Sequence, residues 1–262
     1  MAAAASDSAR WGPCLAEHAG LFRPPGPGPF PVVLILHGCG GRTPFLDAYA
    51  AVAVAAGYAA VVVDSLQPRG LSRLDGLLRV CSGVSLRGVK RAADLFALLN
   101  WLETQAWADP DHVVLAGWSH GAWTIMDGYA LGPNAARATG LIDADPAKLR
   151  ARVKAALLVY PYAAYPSLTA NRGWGDGRPR VYSVLAGRDQ VVGQRHARRA
   201  LERLTQDGLA VDTLYFPDAT HAFDDDRAND PRARHRPDLF AATRDYFARM
   251  LAEARRSGVA PR

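Results

Sequence analysis

The sequence predicts an α/β protein built on a mostly parallel central sheet with helices on both faces. Three observations carry that expectation. Short β-branched runs alternate with longer amphipathic stretches, the order in which strands are joined by crossover helices. The longest apolar runs are strand-sized and end at Gly, Asp or Pro, so none has the length to span a membrane. At 262 residues, 49% hydrophobic and 21% charged, the chain can bury one substantial core and shows no composition break. A single domain over residues 1–262 is therefore expected, with 1–21 as an N-terminal extension.

The elements follow in order. After the loop Pro24-Pro25-Gly26-Pro27-Gly28-Pro29, the run 32–36 reads as a buried strand, 45–56 as a helix and 59–64 as the next strand. The stretch 87–103 is a helix, because Val89, Ala93, Phe96, Leu99 and Leu102 recur at three- and four-residue spacing and give it one face to pack on the sheet. A strand at 113–116 and a helix from Gly121 come next. Strands at 155–160 and 181–186, a helix at 195–205, a last strand at 211–216 and a closing helix at 239–254 complete the chain. No internal repeat is present.

Composition excludes several classes. The net charge of +6 comes mostly from arginines scattered over helices and gathered near the C-terminus, as an Ala- and Arg-rich composition gives. No helix-turn-helix, zinc-ligand spacing or aromatic-basic interleaving accompanies it, so neither nucleic acid nor a membrane is an expected partner. The first ten residues lack a basic segment followed by an apolar one, which makes the cytoplasm the expected location. Three cysteines, Cys14, Cys39 and Cys81, are an odd number in a chain too large to need crosslinks, and are expected as reduced thiols.

The chemistry concentrates at strand ends. Gly117-Trp118-Ser119-His120-Gly121 follows strand 113–116 and opens a helix, a match to the G-x-S-x-G turn that presents a serine nucleophile. The glycines two before and two after let neighbouring backbone pass close to the strained turn, and the helix start favours developing negative charge. A serine hydroxyl needs a base, and His221, in the loop after strand 211–216, is expected to accept its proton. The side chain of His120 is expected to point away from the serine. Asp189, just beyond strand 181–186, is the expected acid that orients His221. The nearer carboxylates Asp218, Asp224, Asp225 and Asp226 read as solvated loop charges, and one of them standing in for Asp189 is the alternative. The order Ser119, Asp189, His221 is the order of α/β-hydrolases. The turn His37-Gly38-Cys39-Gly40-Gly41 offers amides for an oxyanion, the expected donors being the backbone N–H groups of Cys39 and His120. The Cys39 side chain is expected only to pack.

Taken together, the His-Gly-Cys-Gly-Gly turn, Asp64-Ser65 with Pro68-Arg69-Gly70, the Gly-Trp-Ser-His-Gly turn, Ala-Gly-Arg-Asp and Thr-His-Ala-Phe-Asp resemble the dienelactone hydrolase family over most of the chain from Phe22 to Phe247. The resemblance implies an α/β-hydrolase fold without a large cap domain, acting on lactones or small esters through an acyl-enzyme. Where the family's namesakes carry cysteine, this chain has Ser119, which shifts the expected substrate from dienelactone towards ordinary esters. The resemblance also implies arginines that bind a substrate carboxylate, with Arg69, Arg87 and Arg91 in the right part of the chain.

The expected function is hydrolysis of a small-molecule carboxylic ester or lactone at a Ser-His-Asp triad, by a monomer or homodimer. Protein groups fill every role, so neither metal nor organic cofactor is expected. Trp118, Trp123, Tyr162 and Trp174 are candidates for the substrate pocket, with core packing as their alternative role. An acyltransferase, thioesterase or peptidase would use the same triad, and a non-catalytic binding protein could share the fold.

Overall fold

The computed structural model describes residues 6–175, 179–228 and 230–257. Among them seven strands form one sheet: β1 (Gly20–Phe22), β2 (Phe30–Leu36), β3 (Ala59–Val63), β4 (Ala108–Trp118), β5 (Val153–Val159), β6 (Arg180–Ala186) and β7 (Val211–Phe216). Their spatial order is β1-β3-β2-β4-β5-β6-β7, and only β1 runs antiparallel to its neighbour. The mostly parallel α/β sheet expected from the apolar runs is what the chain forms. The one long misreading of a boundary is β4, which starts at Ala108 because Phe30 pairs with Ala108 before a register shift at Pro31 and Val32. That outer segment is polar, so apolar patterning does not mark it.

Alternation along β2 sends its side chains into two cores. Val32, Leu34 and Leu36 meet Phe96, Leu99, Ile125 and Met126, from the helices Gly88–Leu102 and His120–Ala130. Val33 and Ile35 meet Tyr49, Ala53, Phe247 and Met250, from the helices Phe45–Ala55 and Pro237–Ser257 on the other face. The described part of the N-terminal extension belongs to this architecture. Its helix Ser8–Glu17 buries Leu15, and Trp11 donates from Nε1 to Asp94 Oδ1 at 2.8 Å on the helix Gly88–Leu102.

Six of the seven strands point the same way, so their carboxyl ends share one edge. The chain steps outward from β2 to β3 and returns to β4 on the other side of β2, which leaves a crevice beyond the adjacent ends of β2 and β4. Between β3 and the helix Gly88–Leu102 only short turns occur, Gln67–Arg69, Arg73–Asp75 and the π-helical Gly76–Val80, and among the described residues no large cap covers this edge. Among the described residues no helix is long and apolar enough to cross a membrane.

Candidate active site

Ser119 joins β4 to the helix His120–Ala130 at φ 51° and ψ −108°, a left-handed conformation that a serine adopts only under tertiary restraint. The restraint is visible on both sides. Ser119 N–H donates to Val159 O on β5 at 2.9 Å, and a Cβ at Gly121 would stand 2.2 Å from Leu36 O. The helix start therefore crosses directly over the end of β2, which only glycine permits. Tyr160 (φ 34°) and Ala222 (φ 54°) are strained in the same sense, so three of the four non-glycine residues with positive φ among the described residues meet at this edge.

Two loops bring the partners. Gly187 lies so close to the loop after β7 that a Cβ there would come 2.0 Å from Pro217 O, and Arg188 N–H donates to Ala219 O at 2.8 Å. This contact sets Asp189 beside His221. His221 Nδ1 is 2.8 Å from Asp189 Oδ2, and His221 Nε2 is 3.0 Å from Ser119 Oγ. The second Asp189 oxygen accepts the amides of Val191 and Val192, both at 2.9 Å, and Gln190 Oε1 accepts His221 N–H at 3.0 Å. Burial favours the neutral carboxyl of Asp189, but the hydrogen bond and charge attraction of His221, aided by the two amides, outweigh it and hold the group below the usual carboxylate range.

A second carboxylate sits beneath the first. Asp224 is wholly buried, contrary to its reading as a solvated loop charge, and accepts three hydrogen bonds: Tyr160 Oη at 2.6 Å, Tyr49 Oη at 2.8 Å and Trp118 Nε1 at 2.9 Å. Burial raises its pKa, against the opposing pull of those donors. Asp224 has no contact with an imidazole nitrogen. It instead fixes Tyr160, whose ring packs on that of His221 with centroids 4.5 Å apart. Asp218 is exposed and paired with Arg188 at 2.8 Å, and Asp225 accepts from Thr43 at 3.2 Å.

The glycine-rich turn after β2 approaches Ser119 from the other side, a Cβ at Gly38 falling 3.8 Å from Ser119 Cβ. Among the described residues no acceptor takes the N–H of Cys39 or of His120. Both residues line the cavity. Arg91 braces His120 and the start of the turn at His37. It is fully buried, and donates from Nε to Ser65 Oγ at 2.8 Å and from Nη1 to His37 O at 2.8 Å, with His120 Nδ1 3.2 Å away. The His120 ring accordingly faces Arg91 and Trp123 rather than the serine. Burial lowers the pKa of Arg91 to about 10.

Ser119 and His221 open into a cavity of about 410 Å³. Trp118, Trp123, Tyr162 and Arg87 are on its wall, with Phe45, Tyr160, Tyr165 and Val191. Three sequence candidates are elsewhere. Trp174 is buried and stacked on Tyr129 at 4.3 Å, Arg69 pairs with Asp94 at 2.7 Å, and Arg91 is the brace just described; each is consumed by packing or an internal partner. The segment Arg73, Leu77, Cys81, Ser82 and Gly83 supplies a wall that no periodicity marks. Cys39 and Cys81, expected as reduced thiols, form a disulfide with Cα atoms 5.0 Å apart, because the turn after β2 and the wall meet across the cavity. Cys14 alone is free. Among the described residues no group of three or more His, Cys, Asp or Glu is placed to hold a metal ion.

Comparison with known proteins agrees with this architecture. The dienelactone hydrolase family model matches residues 140–251, and the model of X-Pro dipeptidyl-peptidases (S15 family) matches residues 18–142. No curated protein matches. Among solved structures, a putative dienelactone hydrolase from Klebsiella pneumoniae superposes with a TM-score of 0.66 at 16% identity, over 90% of this chain and 92% of that one. A dienelactone hydrolase-like promiscuous phosphotriesterase from metagenomic libraries gives the same values. A carboxylesterase from Lactobacillus plantarum superposes with a TM-score of 0.64 at 18% identity, over 93% of this chain and 94% of that one. The superposed structures show that the chain has the α/β-hydrolase fold, and the two family models each match less than half of it.

Proposed function

We propose that the protein is a serine hydrolase that cleaves small carboxylic esters or lactones through an acyl-enzyme, acting as a single domain. One observation carries the reading: the unbroken hydrogen-bonded line from Ser119 Oγ through His221 to Asp189, beside a cavity with six aromatic side chains on its wall. Ser119 Oγ attacks the carbonyl carbon as His221 Nε2 takes its proton. The carbonyl oxygen becomes an oxyanion, for which the free amides of Cys39 and His120 are the donors. Collapse expels the alcohol, which leaves with the proton held by His221, and water repeats the sequence on the acyl-serine. Asp189 fixes the imidazole tautomer and stabilises its cation without taking the proton. The wall of Trp123, Tyr162 and Tyr165 suits an apolar or aromatic acyl group.

A second reading has one support. The X-Pro dipeptidyl-peptidase match spans Ser119, which favours amide hydrolysis at the same site. As to location, a disulfide fits an oxidising compartment better than the cytoplasm expected from the start of the chain. Wild type and Ser119→Ala are compared on p-nitrophenyl esters, lactones, thioesters and X-Pro anilides. The proposal expects ester or lactone turnover that falls by about four or more orders of magnitude in the variant. Anilide turnover exceeding every ester would replace it with the peptidase reading.

A further inference from the structure

Of the residues around the proposed oxyanion site, Cys39 is held in an unusual way. The turn that carries it has three glycines in four residues, and the backbone hydrogen bond within it, Gly41 N–H to Gly38 O, is long at 3.4 Å. Such a segment has wide backbone freedom and little of its own to restrict it. Two contacts from the cavity wall supply the restriction. The disulfide ties the Cys39 side chain to Cys81, 42 residues on. Gly76 packs against the Cys39 carbonyl so closely that a Cβ there would stand 2.6 Å from the oxygen. The wall is itself anchored, by the capping box of Ser72 and Asp75, by Cys81 N–H to Gly76 O at 2.9 Å and by Ser85 N–H to Arg79 O at 2.9 Å.

We infer that the Cys39–Cys81 disulfide positions the Cys39 amide for the acyl-transfer step, making Cys81 a positioning residue that touches no reacting atom. The inference rests on the oxyanion role proposed for Cys39. A donor aimed at the developing oxyanion acts in the transition state more than in the bound ester, so loosening it lowers kcat rather than raising KM. Deleting such a donor costs about a hundredfold or more, and a freed turn that still samples the right geometry costs less, about tenfold. Cys81 is exposed, so a dithiol reductant can reach the bridge. Its two thiols close to a cyclic disulfide, the Cys39–Cys81 bond breaks, and each sulfur leaves as a protonated thiol.

The test compares kcat and KM for a p-nitrophenyl ester among wild type, Cys81→Ala, Cys39→Ala, the double variant and dithiothreitol-reduced wild type. Losing a crosslink also destabilises the fold, so turnover is read where circular dichroism shows each form folded. The reduced wild type, opened after folding, carries the test if Cys81→Ala does not fold. All four altered forms should lose kcat by the same factor of about ten, with KM within about twofold and an unchanged pH profile. Affinity for a trifluoromethyl ketone, whose oxyanion takes the same donors, should fall in step, and reoxidation should restore the reduced enzyme. Wild-type kcat in a folded Cys81→Ala, a loss confined to KM, or losses that multiply in the double variant would overturn the inference alone. Absence of Ser119-dependent turnover in untreated wild type would instead remove the functional reading beneath it.

Discussion

Replacing Asp224 separates the role of a structural carboxylate from that of the triad acid. In Asp224→Asn the amide oxygen, set where Oδ2 stands, still accepts from Tyr49 Oη and Trp118 Nε1, while the amide nitrogen faces Tyr160 Oη, which can accept instead of donate. The charge on the acceptor is lost, which weakens these bonds but also removes the burial cost that raises the Asp224 pKa, so the two effects largely offset. Asp224→Ala leaves three buried donors without an acceptor, and at about 1–3 kcal/mol each the loss is on the order of 5 kcal/mol. Urea unfolding followed by circular dichroism reads the difference. At a slope near 3 kcal/mol per molar, Asp224→Asn leaves the midpoint within about 0.3 M of wild type and Asp224→Ala lowers it by well over 1 M. Turnover of Asp224→Asn stays within about tenfold of wild type, because Tyr160 still packs on His221. An unshifted midpoint for Asp224→Ala would refute the seat. A loss of kcat by about four orders of magnitude at wild-type stability would make Asp224 the acid in place of Asp189.

Asp189→Asn should lower kcat by several orders of magnitude with the fold retained, since the amide cannot hold His221 in the required tautomer; near wild-type turnover would displace Asp189 from the mechanism. Asp127 gives a pH signature. Burial pushes its carboxyl up to about 7, against the hydrogen bonds it accepts from Leu168 N–H at 2.8 Å and Ser167 Oγ at 3.3 Å. Its folded pKa thus exceeds the unfolded one, so the folded state prefers the neutral form, and stability falls as pH rises from about 4 to about 7 and then levels. Asp127→Asn removes that slope, and its Tm relative to wild type should be higher at pH 8 than at pH 5; a pH-independent difference would contradict the assignment.

The sheet was legible because buried parallel strands are apolar along their whole length, and the crossover helices carry the complementary periodicity. Ser119, Asp189 and His221 were legible for a related reason: each follows a strand whose end the apolar run marks, and parallel strands deliver those ends to one edge. Where polar or short segments do structural work, the pattern is silent. The helix Ser8–Glu17 and the outer part of β4 are recognised by what they pack against. Asp224 stands beside two further aspartates and reads as solvated, yet the loop after β7 turns it under Tyr160, and only the arrival of Tyr49 and Trp118 from distant elements makes burial tolerable. An odd cysteine count argues against a framework of several bridges, but it does not forbid one pair, and the meeting of Cys39 with Cys81 is a property of the wall's path. Arg69 and Arg91 share their residue type with substrate-binding arginines, and their internal partners decide otherwise.

If Ser119 is the nucleophile, the acyl group can be trapped on its hydroxyl. A p-nitrophenyl ester that deacylates slowly is mixed with the enzyme, quenched in acid during the burst and digested for peptide mass spectrometry. An added acyl mass is expected on the peptide containing Ser119, with none in Ser119→Ala. An acyl group on Cys14, on another hydroxyl, or on no residue while p-nitrophenol is released by wild type would contradict it.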